Sequence, residues 1–383
     1  MRKIIIISLF LFVSIMGYTH AEAKTKICQI GAFRYKYKVE GQGVWITNIT
    51  PLSGNGIATL NIPSKLGGKK VVKLGASGDA VTNSDDFDRD TNLFGVTDYD
   101  EPGTGLLPKN IHKKVEKIKT IKIPSTVKIL TYNCFRHLQD GKNINIPAGV
   151  TENVIFQFTV PRWNKITVSP KNKAYKVKNA CLLSKSGKKL YGFVQKKKKI
   201  VIPSTVKRIE SGNYDGCSAM VIPKSVTKIE KCAFLTDQPV KVKIAKGNKR
   251  YAIKYGSIYS KVSGRLVIGY VKNGELKIPE GVTHIDEPGL LGGDPEKIIF
   301  PASVRNIMSF FTLIDPVFTH TPRGRKLTYV FYNKIPPHLA SMLIPSSTTL
   351  TIYVPKNCKN RYMERWKELT EDEFSKVTFI EMK

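Results

Sequence analysis

A repeat solenoid of short β-strands and loops, carrying hairpin insertions and closed by a short helix, is the fold predicted by this 383-residue sequence. Three observations predict it. An apolar motif punctuated by proline returns along the chain, copies that follow directly stand 20 to 23 residues apart, and two wider intervals are both 56 residues long. Self-similarity at such a period means that each unit buries its apolar face only against its neighbours.

In chain order, the first residues stand outside the fold. Arg2 and Lys3 precede an apolar run from Ile4 to Met16, and Ala21-Glu22-Ala23 supplies a small-x-small cleavage pattern. Residues 1–23 therefore read as a signal peptide, with Lys24 as the mature start. No lipoprotein box is seen, because Cys28 follows Thr25-Lys26-Ile27. No later run reaches about 18 apolar residues, so a soluble mature chain is expected. Residues 24–60 are assigned to an N-terminal capping β region, 61–330 to the repeats and 331–383 to a C-terminal cap.

The repeat is read from Ile123-Pro124, with Val127 and Leu130 beyond it. The same spacing returns as Ile202-Pro203, Val206, Ile209; as Ile222-Pro223, Val226, Ile229; as Ile278-Pro279, Val282, Ile285; and as Phe300-Pro301, Val304, Ile307. Ile146-Pro147 with Val150 is a sixth copy. Ile62-Pro63, with Val72 and Leu74, is a longer first one. Phe135, Tyr214, Phe234 and Leu290 follow five positions after the last anchor. Alternation before each proline, as in Leu276-Lys277-Ile278, suits a short strand, and proline ends it because it has no N–H for the ladder.

Residues 166–209 align without a gap on 242–285, at an offset of 76. Asn172 meets Asn248, Tyr175 meets Tyr251 and Leu190 meets Leu266. The inserts at 166–199 and 242–275 each read as two β-runs about a turn containing Gly187 or Gly264, so the chain holds a duplicated super-repeat.

These residues resemble the bacterial surface-antigen (BspA-like) leucine-rich-repeat family. The resemblance rests on the I-P-x-x-V-x-x-I core, on the inserts with their N-x-x-Y element, and on Tyr353-Val354-Pro355 with Tyr362 and Trp366 near the end. It covers roughly residues 40–383. It implies a right-handed leucine-rich-repeat superhelix, export, and in some members adhesion to host surfaces. It carries no catalytic motif and no cofactor, and a fold by itself fixes no ligand.

The formal charge is +32, and loss of two basic and one acidic residue with the leader leaves +31. Such a field attracts polyanions of any kind. Lys69-Lys70, Lys113-Lys114 and Lys196–Lys199 are expected in turns between coils, where they serve solubility and edge protection or else a polyanion patch. The aromatics fall mostly at core positions of the repeat, which disfavours specific nucleic-acid binding.

Against this background, Asp79–Glu101 is acidic. Asp86, Asp88, Asp90 and Asn92 resemble the opening of a calcium loop, but Thr91 and Thr97 stand where Gly and Glu are required. A solvated loop is the favoured reading, with calcium the weaker one. The six cysteines are expected as buried thiols rather than disulfides, Cys217 and Cys232 being the one pair on adjacent coils. His284 occupies a variable, solvent-facing position. No motif joins a nucleophile to a base, so no enzyme is expected.

Partner-contact candidates come from the residue before each Ile-Pro anchor, which should face outward: Lys122, Asn145, Val201, Val221, Lys277 and Ile299. Val201 and Val221 should lie side by side, marking a contact or merely favouring the strand. The function expected is an exported, non-catalytic protein binding an extracellular protein or glycan in the manner of an adhesin. A periplasmic structural component and a generic polyanion binder stand as alternatives.

Overall fold

The computed structural model describes residues 24–52, 57–75, 93–94, 109–131, 134–135, 142–151, 164–195, 197–211, 214, 216–231, 233–234, 240–309, 326–341, 348–367 and 376–383. The expected signal peptide, the candidate calcium residues Asp86, Asp88, Asp90 and Asn92, and Cys232 lie outside the described residues.

The chain is a β-solenoid with two parallel-stranded walls. Strands that end at the Ile-Pro anchors build the first wall: Thr120–Lys122 pairs with Asn143–Ile146, Lys199–Val201 with Ala219–Ile222, and Glu275–Lys277 with Lys297–Phe300. Strands at the third anchor build the second: Arg208–Ile209 on Lys228–Ile229, and His284–Leu291 on Asn306–Ser309. Between the walls the anchors stack in register. Val127, Val150, Val206, Val226 and Val282 are fully buried, as are Leu130 and Ile209. Each such side chain contributes about 1.5–3 kcal/mol by leaving water. The five-residue aromatic step also packs inward, with the rings of Tyr214 and Phe234 at 4.1 Å.

The two 56-residue intervals each hold one more coil. Lys165–Val168 and Lys241–Ile244 are rungs of the first wall, on Asn143–Ile146 and Ala219–Ile222. The inserts are three-stranded meanders rather than two-stranded hairpins, because Tyr175–Lys178 and Tyr251–Lys254 pair ahead of the two expected runs. Their last strands, Lys189–Phe193 and Arg265–Lys272, are rungs of the second wall. Both meanders carry a bulge at the same place, between Leu182 and Leu183 in the first and between Ile258 and Tyr259 in the second.

Asn172 and Asn248 close the coil that opens each insert. The Asn172 amide donates to the carbonyls of Pro147 and Val150, both at 2.8 Å, and its oxygen accepts from the backbone N–H of Ala174 and Tyr175. Asn248 repeats all four bonds, to Pro223, Val226, Arg250 and Tyr251. Asn333 donates in the same way to Ala302 and Val304.

Four details differ from the sequence reading. In the first coil Leu66, not Val72, fills the valine slot; a hairpin through Gly67-Gly68 intervenes before Leu74 pairs with Leu130, and Val71 is the buried residue beside it. Lys113 and Lys114 lie in the helix Lys109–Glu116, where Lys114 donates to the Leu52 carbonyl, and Lys69-Lys70 begins the strand Lys69–Leu74 rather than a turn. The first wall also continues past residue 330, through Thr349–Val354 and Val377–Glu381. Finally, Cys181 shares a core with Cys217, and burial pushes its thiol up to about 12. Cys134, Cys181 and Cys358 are buried free thiols, as expected, whereas Cys28, also free, is only partly buried in the N-terminal meander.

The ends are closed differently. Lys26–Ile30, Phe33–Glu40 and Gly43–Pro51 form an antiparallel meander whose last strand pairs parallel with Lys69–Leu74. At the other end the helix Lys359–Trp366 presses Tyr362 and Trp366 onto Phe331 and Phe379. No side chain of its own turn caps this helix; Glu381, from the last strand, accepts the Lys359 N–H at 3.0 Å.

Asn248→Ala removes four bonds and leaves backbone groups without partners, so a loss of about 3 kcal/mol is expected in denaturant unfolding with an unchanged slope. The Lys359 N–H and neighbouring amides hold the Glu381 carboxyl below its ordinary 4.5. A carboxyl with a depressed folded value stabilises above the unfolded value, and that contribution is lost as pH falls through the folded one. Acid should therefore lower the melting temperature less in Glu381→Gln than in the parent, as thermal scans between about pH 3 and 6 would show.

Candidate functional site: an aromatic cradle beside an outward sheet face

Alternation along each first-wall strand turns the residue before the anchor outward. The row so formed is broken into three. Asn61, Lys122, Asn145 and Thr167 make a polar ladder in the first segment. Val201, Val221 and Lys243 make the second, with Val201 beside Val221 and 47% exposed. Lys277, Ile299, Val330, Tyr353 and Ile380 make the third, a ladder on a continuous five-strand face that is apolar from Ile299 onward. Beside it runs a second outward row of Glu275, Lys297, Thr328, Thr351 and Thr378. The four contact candidates Lys122, Val201, Val221 and Lys277 thus share a type of position but not one surface.

Of these, Lys277 lines a concave site. An open depression of about 620 Å³ is lined by Tyr255, Gly256, Tyr270, Lys272, Asn273, Glu275 and Lys277. Two tight turns frame it. Tyr255 and Gly256 link Tyr251–Lys254 to Ser257–Ser260, with φ of 55° and 83°. Asn273 and Gly274 link Arg265–Lys272 to Glu275–Lys277, with φ of 51° and 73°. Both are two-residue hairpin loops with positive φ at each residue, which Asn-Gly fits best.

Tyr270 lies against the backbone of Gly256; a Cβ there would sit 2.4 Å from the ring's Cδ1. The Tyr270 N–H donates to the buried Ser257 hydroxyl at 2.9 Å, which fixes the strand beneath the ring. Tyr255 is 42% exposed. The Lys277 ammonium stands 4.4 Å from its ring centroid and that of Lys254 stands 5.2 Å away. Lys254 also binds Glu280 at 2.6 Å, which raises the lysine and lowers the carboxyl from their ordinary values. Glu275 is taken by Lys297 at 3.0 Å.

The first insert shares the three-stranded meander and its first turn without this surface. At the matching offset Asn179, Ala180, Val194 and Val201 replace Tyr255, Gly256, Tyr270 and Lys277. Asn179 and Ala180 keep positive φ, at 52° and 62°. The strand Lys189–Phe193 is shorter than Arg265–Lys272, and among the described residues no second hairpin follows it. Sequence reasoning passed over the cradle, although the signal lay in the aligned copies, at the positions where they disagree.

Elsewhere the basic excess is partly neutralised. Across neighbouring coils Lys189 and Arg208 meet Glu210, Arg208 and Lys228 meet Glu230, and Lys231 meets Asp286. Lys197, Lys198 and Lys199 are exposed, and His284 is exposed with its Nδ1 2.8 Å from the Thr283 hydroxyl.

A family model for the BspA type leucine rich repeat region matches residues 106–192 and 185–255, in six copies. These coils are BspA-type leucine-rich repeats. Among solved structures, the leucine-rich-repeat chain is similar to the pneumococcal vaccine antigen PcpA, with 14% identity over 94% of this chain and 99% of that one, at a TM-score of 0.33. It is also similar to a leucine-rich repeat protein from Eubacterium ventriosum, with 13% identity over 92% and 83% of the two chains and a TM-score of 0.35. A leucine-rich repeat protein from Bacteroides ovatus shares 14% over 93% and 100%, at 0.27. No curated protein matches the sequence. Among the described residues, no helix is long and apolar enough to cross a membrane.

In this repeat protein the Gly256–Tyr270 contact should be a coupled pair. Gly256→Ala is expected to cost about 1–3 kcal/mol through the clash and the positive φ. Adding Tyr270→Val, the first insert's residue, should restore part of it, giving a double-mutant coupling of about 1 kcal/mol or more.

Proposed function

We propose that this leucine-rich-repeat protein acts outside the cytoplasm as a non-catalytic binding protein. Its ligand is an extracellular protein or glycan, engaged through the outward face of the C-terminal sheet and the cradle at that face's first strand. The observation that carries the reading is the divergence of the two inserts. They keep the same order of strands, one bulge position and one buried asparagine, and they differ at the exposed positions 179/255 and 201/277 as well as at buried ones such as Cys181/Ser257 and Phe193/Gly269. A scaffold that repeats its strand order while changing exposed side chains is suited to recognition, since rigid elements place the contacting groups. The ladder from Ile299 to Ile380 adds apolar area beside threonines, a mixture typical of protein contact surfaces. The leader-like residues 1–23 support export.

Binding to immobilised extracellular-matrix protein or glycan should be saturable and should persist at about 0.3 M salt, where exposed charge attraction is largely screened. Val330→Lys with Tyr353→Lys should abolish it, whereas Val201→Lys on the separate middle segment should not. Loss of all binding at that salt would leave only generic attraction to polyanions. Protease shaving of intact cells should remove the protein; a spared chain would favour a cell-facing structural role.

A further inference from the structure

We infer that the cradle of the second insert takes a saccharide bearing a carboxylate, its acid group held by Lys277 and Lys272 and its sugar ring against Tyr255. The inference rests on the binding role proposed above and names the ligand class of one part of that surface.

Backbone strain is the first argument. Position 255 has φ of 55°, where asparagine is favoured and a bulky residue is costly. The first insert has asparagine there, at 52°. The second holds a tyrosine in the same conformation, so what the position gains is the ring and not the turn. Gly256 then removes the only methyl that would keep Tyr270 from lying beside it.

Charge is the second. Among the described residues, neither Lys272 nor Lys277 has a carboxylate within ion-pair reach. Of the three carboxylates at hand, Glu275 is engaged by Lys297 and Glu280 by Lys254 and the Tyr255 hydroxyl, while Glu296 lies against Gly274 without reaching either lysine. Lys277 rests instead on the Tyr255 ring, a weaker partner than a carboxylate for an ammonium. An incoming acid group gives it that stronger partner, and Lys272 and the Asn273 amide stand on the same rim.

Shape is the third. The depression, at about 620 Å³, falls in the range of small-ligand sites and is open enough for one end of a longer chain. A pyranose offers an apolar C–H face to the negative face of an aromatic ring while its hydroxyls stay in water. A peptide adding as a strand on the floor of the cradle is disfavoured, the open edge of the insert being Tyr251–Lys254. Ser257–Ser260 is paired on both sides, by Tyr251–Lys254 and Arg265–Lys272, and Glu275–Lys277 by Arg265–Lys272 and Lys297–Phe300.

The test is titration calorimetry of the whole chain with sialyllactose and tri-galacturonic acid, against lactose and the methyl-esterified trisaccharide. Tyr255→Asn and Lys277→Val install the first insert's residues, and the asparagine eases the turn, so the fold should be kept or strengthened. The acidic sugars are expected to bind, with the neutral ones and both variants weaker by roughly tenfold or more. Equal binding of acidic and neutral sugars, variants that bind as the parent does, or tighter binding of an acidic hexapeptide would each overturn the inference. Matrix binding that persists in both variants while no sugar binds would overturn it and leave the binding role standing. Absence of any extracellular ligand would remove the role itself.

Discussion

Registry between buried anchors is the constraint on which the whole molecule depends. Each coil finds its apolar partners only in the coils before and after it. Ile200 must therefore meet Met220, and Met220 must meet Val242, with side chains of similar reach at every rung. A coil that changed its width would break the walls on both sides. Buried positions therefore exchange apolar side chains of similar reach, as Ile200, Met220 and Val242 do, while the wider changes fall at positions that face outward and in the turns that join walls. The same constraint makes an insert expensive unless its ends are themselves rungs. Both meanders satisfy this by entering from the first wall and leaving through the second.

A stack of this kind has two ends and many backbone carbonyls to which no strand donates. The buried asparagines answer part of that demand, since one amide supplies two donors and one acceptor to a corner where the chain turns away from the ladder. The C-terminal helix answers another part. Trp366 donates its indole N–H to the Pro337 carbonyl and Tyr362 its hydroxyl to that of Asn333, so the aromatic plug is bonded at its polar tips. The last strand returns a carboxylate to the helix start, tying two ends of the cap together.

How much of this could be read from residues alone follows from where proline stands. Coils with Ile-Pro announced themselves, and their anchors are buried as the spacing requires. The rungs at Val168, Ile244 and Phe331 are followed by Ser169, Ala245 and Tyr332, so the same template passed over coils that are stacked just as closely. Asn172 and Asn248 were visible as a matching pair, but a match does not disclose four hydrogen bonds. The outward row was legible as a periodicity and Val201 does adjoin Val221, yet its division into three segments depends on how the inserts route the chain. The cradle was legible only as a difference between copies. Tyr255 and Tyr270 stand 15 positions apart and meet through two turns whose geometry no local pattern states.

The two inserts act as an internal control on what the surface is for. Were Tyr255 there for stability, the cheaper asparagine of the first insert would serve the turn better, and Gly256 loosens the unfolded chain further. Both choices run against folding and in favour of an exposed ring with a second ring behind it. Lys277 points the same way, since it stands where the first insert has a strand-favouring valine. Compensation is local: the Asn273-Gly274 loop is well suited to its turn, and it extends Arg265–Lys272 into a continuous eight-residue strand beneath the cradle. Strain at one turn, relief at the next and a rigid strand between them fit the preorganised recognition role proposed for this surface.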